Sequence, residues 1–350
     1  MKLIFLCPDI NKPSGGIKQI YRQVDILNNN GFNAFVLHEV PNFKCTWFNN
    51  KTQIIYNYDV FSEIGKFENQ SVTLKSSLKK LKKRIYKFFK KKHTTNIGNN
   101  DILVFPEVYG PYLGKVLKGV KKVIYNQGVY QTFFKYNLDL NNLDTPYRES
   151  DLLAVIVNSN DAKNYLRYSF PNLKLFRLHY GIDKINFYFE KKKKKQIAFM
   201  PRRLRNDLVQ VINILKFKGL LNDWELVAID NMSETEVSMA LRESAIFLSF
   251  SINEGFGMPP AEAMASGCIV VGYPGNGGLE FFKEDFSYPI PDRNIQEYVK
   301  QLESILIDYS LNNEFYIDKG KKASDFILNE YAMEVEKQDI VKIWSEIINL

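Results

Sequence analysis

Ser251-Ile252-Asn253-Glu254-Gly255-Phe256-Gly257-Met258-Pro259-Pro260-Ala261-Glu262 is the stretch on which the reading of this chain turns. It follows an apolar run of strand length, Ile246-Phe247-Leu248-Ser249, and its two prolines suit the first turn of a helix, where a backbone N–H has no intrahelical partner to lose. A strand, a glycine-rich loop and a helix in that order expose backbone N–H groups at the positive end of a helix dipole. Such a place favours an anion or a polyhydroxyl ligand. Glu254 falls before the predicted helix and Glu262 within it. Two carboxylates spaced in this way can each accept hydrogen bonds from paired hydroxyls, one pair on a ribose and one on a sugar ring.

Working outward, the same alternation of short apolar runs and helical periods continues on both sides. Ile197-Ala198-Phe199-Met200, Leu226-Val227-Ala228-Ile229 and Ile269-Val270-Val271 read as buried strands, with helices expected near 207–218, 233–242 and 259–266. From Asn294 onward the pattern is helical. The N-terminal half repeats the plan: residues 2–6 form an apolar run, Asn11-Lys12-Pro13-Ser14-Gly15-Gly16 is a turn, and Ile17, Ile20, Tyr21, Val24 and Leu27 recur at the 3.6-residue period before Gly31. Strands follow at 35–38, 102–105, 123–125 and 153–157. Strands separated by helices predict parallel sheets. A chain of 350 residues also exceeds the roughly 250 at which single cores stop growing.

The expected architecture is therefore α/β with two parallel-sheet domains. Residues 1–182 form the first, with a basic insertion at 75–96. Residues 183–330 form the second, and 331–350 a C-terminal helix that packs back on the first. The lysine run 191–195 reads as a surface linker near the boundary.

Composition narrows the function classes. At 45% hydrophobic and 25% charged residues the chain closes a sizeable core. No apolar run reaches the ~20 residues that span a bilayer, and the N-terminus turns polar too early for a signal peptide, so a cytoplasmic location is expected. Three scattered cysteines and three scattered histidines support neither a disulfide framework nor a zinc site, so no metal and no cofactor is expected. The net charge of +8 points to anionic company. Ten Lys or Arg and no acid lie between residues 75 and 92. Leu74, Leu78, Leu81, Ile85, Phe88 and Phe89 recur there at helical spacing against the lysine-rich face, the pattern either of an interfacial helix on an anionic membrane or of a basic helix packed on its own domain. The basic stretch lacks a recognisable nucleic-acid-binding module, which argues against nucleic acid as the partner.

Glu-Gly-Phe-Gly-Met-Pro-Pro-Ala-Glu at 254–262 resembles the E-x7-E motif of the retaining GT-B glycosyltransferases of family 4. Further resemblances are His179-Tyr180-Gly181-Ile182-Asp183 entering the second lobe, 267–272 followed by Gly277-Gly278-Leu279-Glu280, and the first-lobe glycine loop Pro13-Ser14-Gly15-Gly16-Ile17. The resemblance implies two Rossmann-like domains facing across a cleft and transfer of a sugar from a nucleotide-sugar donor to a saccharide or lipid-linked acceptor in cell-surface polysaccharide or glycoconjugate synthesis, at the inner face of the plasma membrane if 74–92 binds lipid. It places Glu254 by the donor sugar, Glu262 on the ribose, Gly255, Phe256, Gly257 and Met258 in the donor loop, and Gly15 and Gly16 over the diphosphate. Arg203, flanked by Arg202 and Arg205, is the expected phosphate cation. The family's lysine a few residues on is missing, with Asn206, Asp207 and Leu208 in its place, and a second arginine is expected to substitute. Where relatives carry a histidine near the sugar, Asn126 and Gln127 stand here, to bind sugar or phosphate or else to tie down a loop.

No Asp-x-Asp-type metal signature is present, so arginines, loop amides and a helix N-terminus are expected to neutralise the leaving diphosphate. Three other readings stand beside this one: a catalytically degenerate GT-B sugar-binding or partner subunit, a GT-B nucleotide-sugar epimerase, for which histidine is scarce, and a nucleic-acid binder.

Overall fold

A computed structural model describes residues 1–68 and 95–350. The amphipathic segment expected over 74–92 thus lies outside the described residues. Two compact units divide the chain, one made of Met1–Val157, Lys163–Leu178 and Asp339–Leu350, the other of Asn158–Ala162 and His179–Gln338.

In the first unit the described strands are β1 (Leu3–Leu6), β2 (Ala34–His38), β3 (Ile54–Tyr56), β4 (Ile102–Pro106), β5 (Lys121–Asn126), β6 (Leu152–Val157) and β7 (Leu175–Arg177). They form one sheet in the order β3-β2-β1-β4-β5-β6-β7, and every pairing is parallel. Parallel strands carry crossovers on both faces, so the central strands are covered on both and are mostly apolar. Leu3–Leu6 and Ile102–Pro106 are buried at every position. Helix α1 (Gly15–Asn29) crosses from β1 to β2 and buries Ile17, Ile20, Tyr21, Val24 and Leu27, the face its 3.6-residue period announces. Helices α2 (Tyr58–Glu68) and α3 (Asn160–Ser169) follow β3 and β6. Asn57 caps α2 by accepting the N–H groups of Asp59 and Val60.

In the second unit β8 (Lys194–Phe199), β9 (Glu225–Ala228), β10 (Ser244–Glu254), β11 (Ile269–Asn276) and β12 (Ser287–Pro289) form a parallel sheet in the order β12-β11-β10-β8-β9. Helices α4 (Arg205–Phe217), α5 (Glu234–Glu243) and α6 (Met258–Ala265) connect the strands, and α7 (Ile295–Tyr309) and α8 (Asn313–Glu330) follow the last. Ile197, Val211, Leu215, Ile246, Leu248, Val271, Tyr298 and Leu302 are among its core residues. Helix α9 (Met333–Ile347) ends the chain, and its last residues belong to the first unit. There the fully buried Trp344 lies 5.4 Å from the Phe5 ring and donates to Gln23 Oε1 at 3.1 Å.

Lysines 191–195 are not a linker. Lys194 and Lys195 open β8, and Lys193 donates its amine to the carbonyls of Leu241, Arg242 and Ser266, at and just past the ends of α5 and α6. A run of like charges reads as solvated surface, yet one of its members satisfies carbonyls that helix ends leave without partners.

Candidate functional site

Each sheet reverses its strand order once. In the second unit the chain runs outward from β8 to β9, then returns to place β10 on the other side of β8. At such a switch point the loops after the two neighbouring strands diverge to opposite faces and leave a crevice at the carboxyl ends, the usual ligand position in open α/β sheets. The loop after β8 is residues 200–204, and β10 ends at Glu254. The 251–262 motif and the arginine triplet therefore meet for a topological reason.

Their side chains meet as well. The Arg203 guanidinium forms an ion pair with Glu254 Oε1, a contact of charges that is not aligned as a hydrogen bond. Arg203 is half-exposed and Glu254 one-fifth exposed with its Oε1 covered, so the pair meets solvent on the arginine side. Arg202 and Arg205 are exposed on either side. Leu204 between them takes a left-handed backbone, φ 35° and ψ 51°, as the residue before α4. For a side chain larger than glycine that conformation is strained, and strain of this kind persists where surrounding structure enforces it, commonly at ligand sites.

Around Glu254 the chain is bent on purpose. The register of β10 against β11 shifts between Ser251 and Glu254, and Asn253 has φ 55°. Gly257 precedes α6 with φ 95°, where a side chain would be strained. Phe256 is buried against Tyr180, Phe281 and Tyr331 at 5.1–5.7 Å between ring centroids, so its ring anchors the loop. Gly255 and Gly257 are buried beside it, and Met258, half-buried, begins the helix. Pro259 and Pro260 supply no N–H, and Ala261 N–H bonds to the Gly257 carbonyl. The amides this turn can offer a ligand are therefore those of the loop rather than of a full helical turn. Glu262 lies one turn into α6 and is half-buried.

Where a lysine is expected, Asp207 stands in the first turn of α4, buried at 5% side-chain exposure. It accepts from Tyr273 Oη at 3.2 Å and from the Arg293 guanidinium at 3.3 Å. Sequence reading missed Arg293. It lies 86 residues from Asp207, and only the fold brings a cation to this helix N-terminus.

In the first unit the strand order reverses between β1 and β4. The loop after β1 leads to Gly15 and Gly16, the first residues of α1, whose cap residue Ser14 makes no side-chain hydrogen bond to them. Of the two amides at the end of β5, Asn126 is fully buried and donates to Thr132 Oγ1 and Tyr147 Oη, both at 2.9 Å, so it ties down its own loop. Gln127 donates its side-chain N–H to the Gly16 carbonyl at 3.2 Å. A cavity of about 530 Å³ lined by Tyr147, Phe170 and Lys174 opens instead near the amino ends of β6 and β7, the edge away from these loops.

Residues 225–322 match the family model described as "Glycosyl transferases group 1". This match supports a glycosyltransferase family. The alpha-1,6-glucosyltransferase of Actinobacillus pleuropneumoniae is 28% identical over 190 residues, 51% of this chain and 54% of that protein. The chain thus spans about half the length of this curated relative. Among solved structures, a TarM mutant from S. aureus in complex with Fondaparinux, alpha-GlcNAc-glycerol and UDP matches with a TM-score of 0.64 at 13% identity, covering 100% of both chains. Sucrose-phosphate synthase from Thermosynechococcus elongatus matches with 0.66 at 12%, covering 99% of each. HepE from Anabaena in complex with UDP and glucose matches with 0.63 at 14%, covering 99% of this chain and 100% of that one. Likeness at this level of identity is likeness of fold, and the fold is GT-B. Among the described residues no helix is long and apolar enough to cross a membrane.

Proposed function

We propose that this protein is a retaining glycosyltransferase of the family 4 type, carrying a sugar from a UDP-sugar to a saccharide or lipid-linked acceptor in cell-surface polysaccharide or glycoconjugate synthesis, without a metal ion. The observation that carries the reading is the Arg203–Glu254 ion pair at the switch point of the second sheet, with Glu262 eight residues further on. UDP and glucose in the fold relative HepE, and the glucosyltransferase name of the curated relative, favour UDP-glucose as the first donor to test.

The difficult step is departure of a nucleoside diphosphate from the anomeric carbon through an oxocarbenium-like state. Arg203 exchanges Glu254 for the diphosphate and stabilises the charge that develops on the leaving oxygen. Glu254, so released, accepts from a hydroxyl of the donor sugar, and Glu262 accepts from the ribose hydroxyls. The C1–phosphate bond breaks, the acceptor oxygen bonds C1 on the same face, and the acceptor proton passes to the departing phosphate. Loop amides, Arg202 or Arg205, and Arg293 on the Asp207 side take the place of a metal cation.

The test is a thermal-shift and hydrolysis screen with UDP-, GDP-, dTDP- and CMP-sugars in EDTA, on wild type and Glu262→Ala. A bound donor raises the melting temperature by mass action. Stabilisation of wild type by one donor and not of the variant supports the reading. If no donor stabilises wild type even at millimolar concentration, the reading fails and a degenerate binding subunit takes its place.

A further inference from the structure

The first sheet has its own switch point, between β1 and β4, and β4 runs directly into Glu107. That side chain is 5% exposed. Among the described residues backbone amides, not a cation, hold it: Glu107 Oε2 accepts the Gln127 N–H at 2.9 Å, and the N–H groups of Glu107 itself and Gly128 assist. The contact continues onward. Gln127 Nε2 donates to the Gly16 carbonyl at 3.2 Å, and Gln127 Oε1 lies 3.3 Å from where a Cβ on Gly16 would stand, so a side chain at 16 would push the Gln127 amide back by a few tenths of an ångström. Residues far apart in the chain, at 16, 107 and 127, thus form one continuous support.

We propose that Glu107 is a positioning residue for the Gly15–Gly16 loop, acting through Gln127. A buried ionised carboxylate is an all-acceptor group, and two neighbouring amide donors aimed at it keep the Gln127–Gly128 turn in a single geometry. Burial pushes its carboxyl up to about 7, the amides of Gln127, Glu107 and Gly128 pulling the other way. Protonation puts an O–H where an N–H points, so one of the two donors loses its acceptor and the turn loosens. Of the elements packed on Glu107, the turn Pro146–Arg148 brings Tyr147, whose hydroxyl is raised first by burial and then by the Glu107 charge and stays neutral near pH 7. No charged side chain from β5 or the turn Val129–Gln131 contributes to its titration. The link from this support to donor binding rests on the proposed transferase reading.

Two measurements test it separately. Hydrogen exchange, as protection factors at pH 8 and pH 5.8 on the whole chain without ligand, follows peptides covering residues 12–20 and 124–131. Wild type is expected to lose protection in both at the lower pH, and Glu107→Gln, which places an NH₂ where the acid places its O–H, to show low protection at both values. Gln127→Ala cuts the support downstream and is expected to lower protection in 12–20 while 124–131 keeps it. Equal protection of 12–20 in wild type and both variants overturns the proposal, and Gln127→Ala alone decides should Glu107→Gln not fold.

The second measurement is UDP-glucose affinity by calorimetry, since the charge of that diphosphate diester is constant over this range. Wild type is expected to bind roughly tenfold more tightly at pH 8 than at pH 5.8, the equivalent of one hydrogen bond to a charged group. Glu107→Gln is expected to lose most of that dependence. An unchanged pH dependence in the variant overturns the role in donor binding. If wild type binds no UDP-glucose at either pH, it is the donor assignment that falls, and hydrogen exchange still decides the positioning role.

Discussion

Replacing Arg203 by alanine separates a binding role from a structural one, because the two carry different magnitudes. The guanidinium is half-exposed and its partner Glu254 is one-fifth exposed, so water screens the pair and its share of folding stability is below about 1 kcal/mol. A guanidinium–phosphate contact made on donor binding contributes about 1.5–3 kcal/mol, or roughly 10- to 150-fold in Kd. Arg203→Ala should therefore leave the urea midpoint nearly unchanged while UDP-glucose affinity, measured by calorimetry at low salt, falls by that factor. Glu254→Gln gives the opposite sign for the nucleotide alone. In wild type the pair must open before Arg203 can reach a phosphate, and removing that requirement tightens UDP binding two- to fivefold, about the energy of a screened pair. Turnover should nonetheless fall, since the amide accepts less well from a sugar hydroxyl. The double variant completes a cycle in which the gain from Glu254→Gln vanishes once Arg203 is absent. Unaltered UDP-glucose affinity in Arg203→Ala, or UDP binding weakened equally by both single changes, would refute the exchange of partners.

Asp207→Ala should cost about 2–3 kcal/mol in urea unfolding, because it strips the buried Tyr273 hydroxyl of its acceptor, whereas Arg293→Ala, at a side chain 63% exposed, should cost less than about 1 kcal/mol. Trp344→Ala should cost about 3–5 kcal/mol by the same assay, since it opens a cavity against Phe5 and frees Gln23 Oε1. Glu107 binds its proton more tightly folded than unfolded, so the folded state holds the extra proton between pH 4.5 and about 7. Its contribution should make stability fall as pH rises through that window, by about 3 kcal/mol in total, and Glu107→Gln should remove the slope in denaturant titrations across the range.

How much of this was legible beforehand depended on the length of the signal. Apolar runs such as 2–6, 153–157 and 269–271 announce buried parallel strands because both faces are covered, and all three fall on strands in the structure, Leu3–Leu6, Leu152–Val157 and Ile269–Asn276. The strands β3, β7 and β12 went unread. Each has only three residues at or next to a sheet edge, and most of their positions are only half-buried, so neither an apolar run nor an alternation can build up. At the site, Glu254 and Glu262 stood out through their spacing across a Gly-Pro turn. Arg203 stood out from Arg202 and Arg205 only through the family resemblance, and nothing local chose between sugar contact and loop support for Asn126.

Short-range periodicity and the backbone limits of glycine and proline suffice to specify two layered α/β units, a glycine-rich loop after one strand and a pair of carboxylates flanking it. Strand order was beyond them, and with strand order went the rest. Which of three arginines pairs with Glu254, why an aspartate at 207 can be buried beside Arg293, and how Glu107 reaches Gly16 through Gln127 were decided only in the tertiary structure. These pairings join residues 20 to 111 positions apart, and long-range packing selects among partners that no local pattern tells apart.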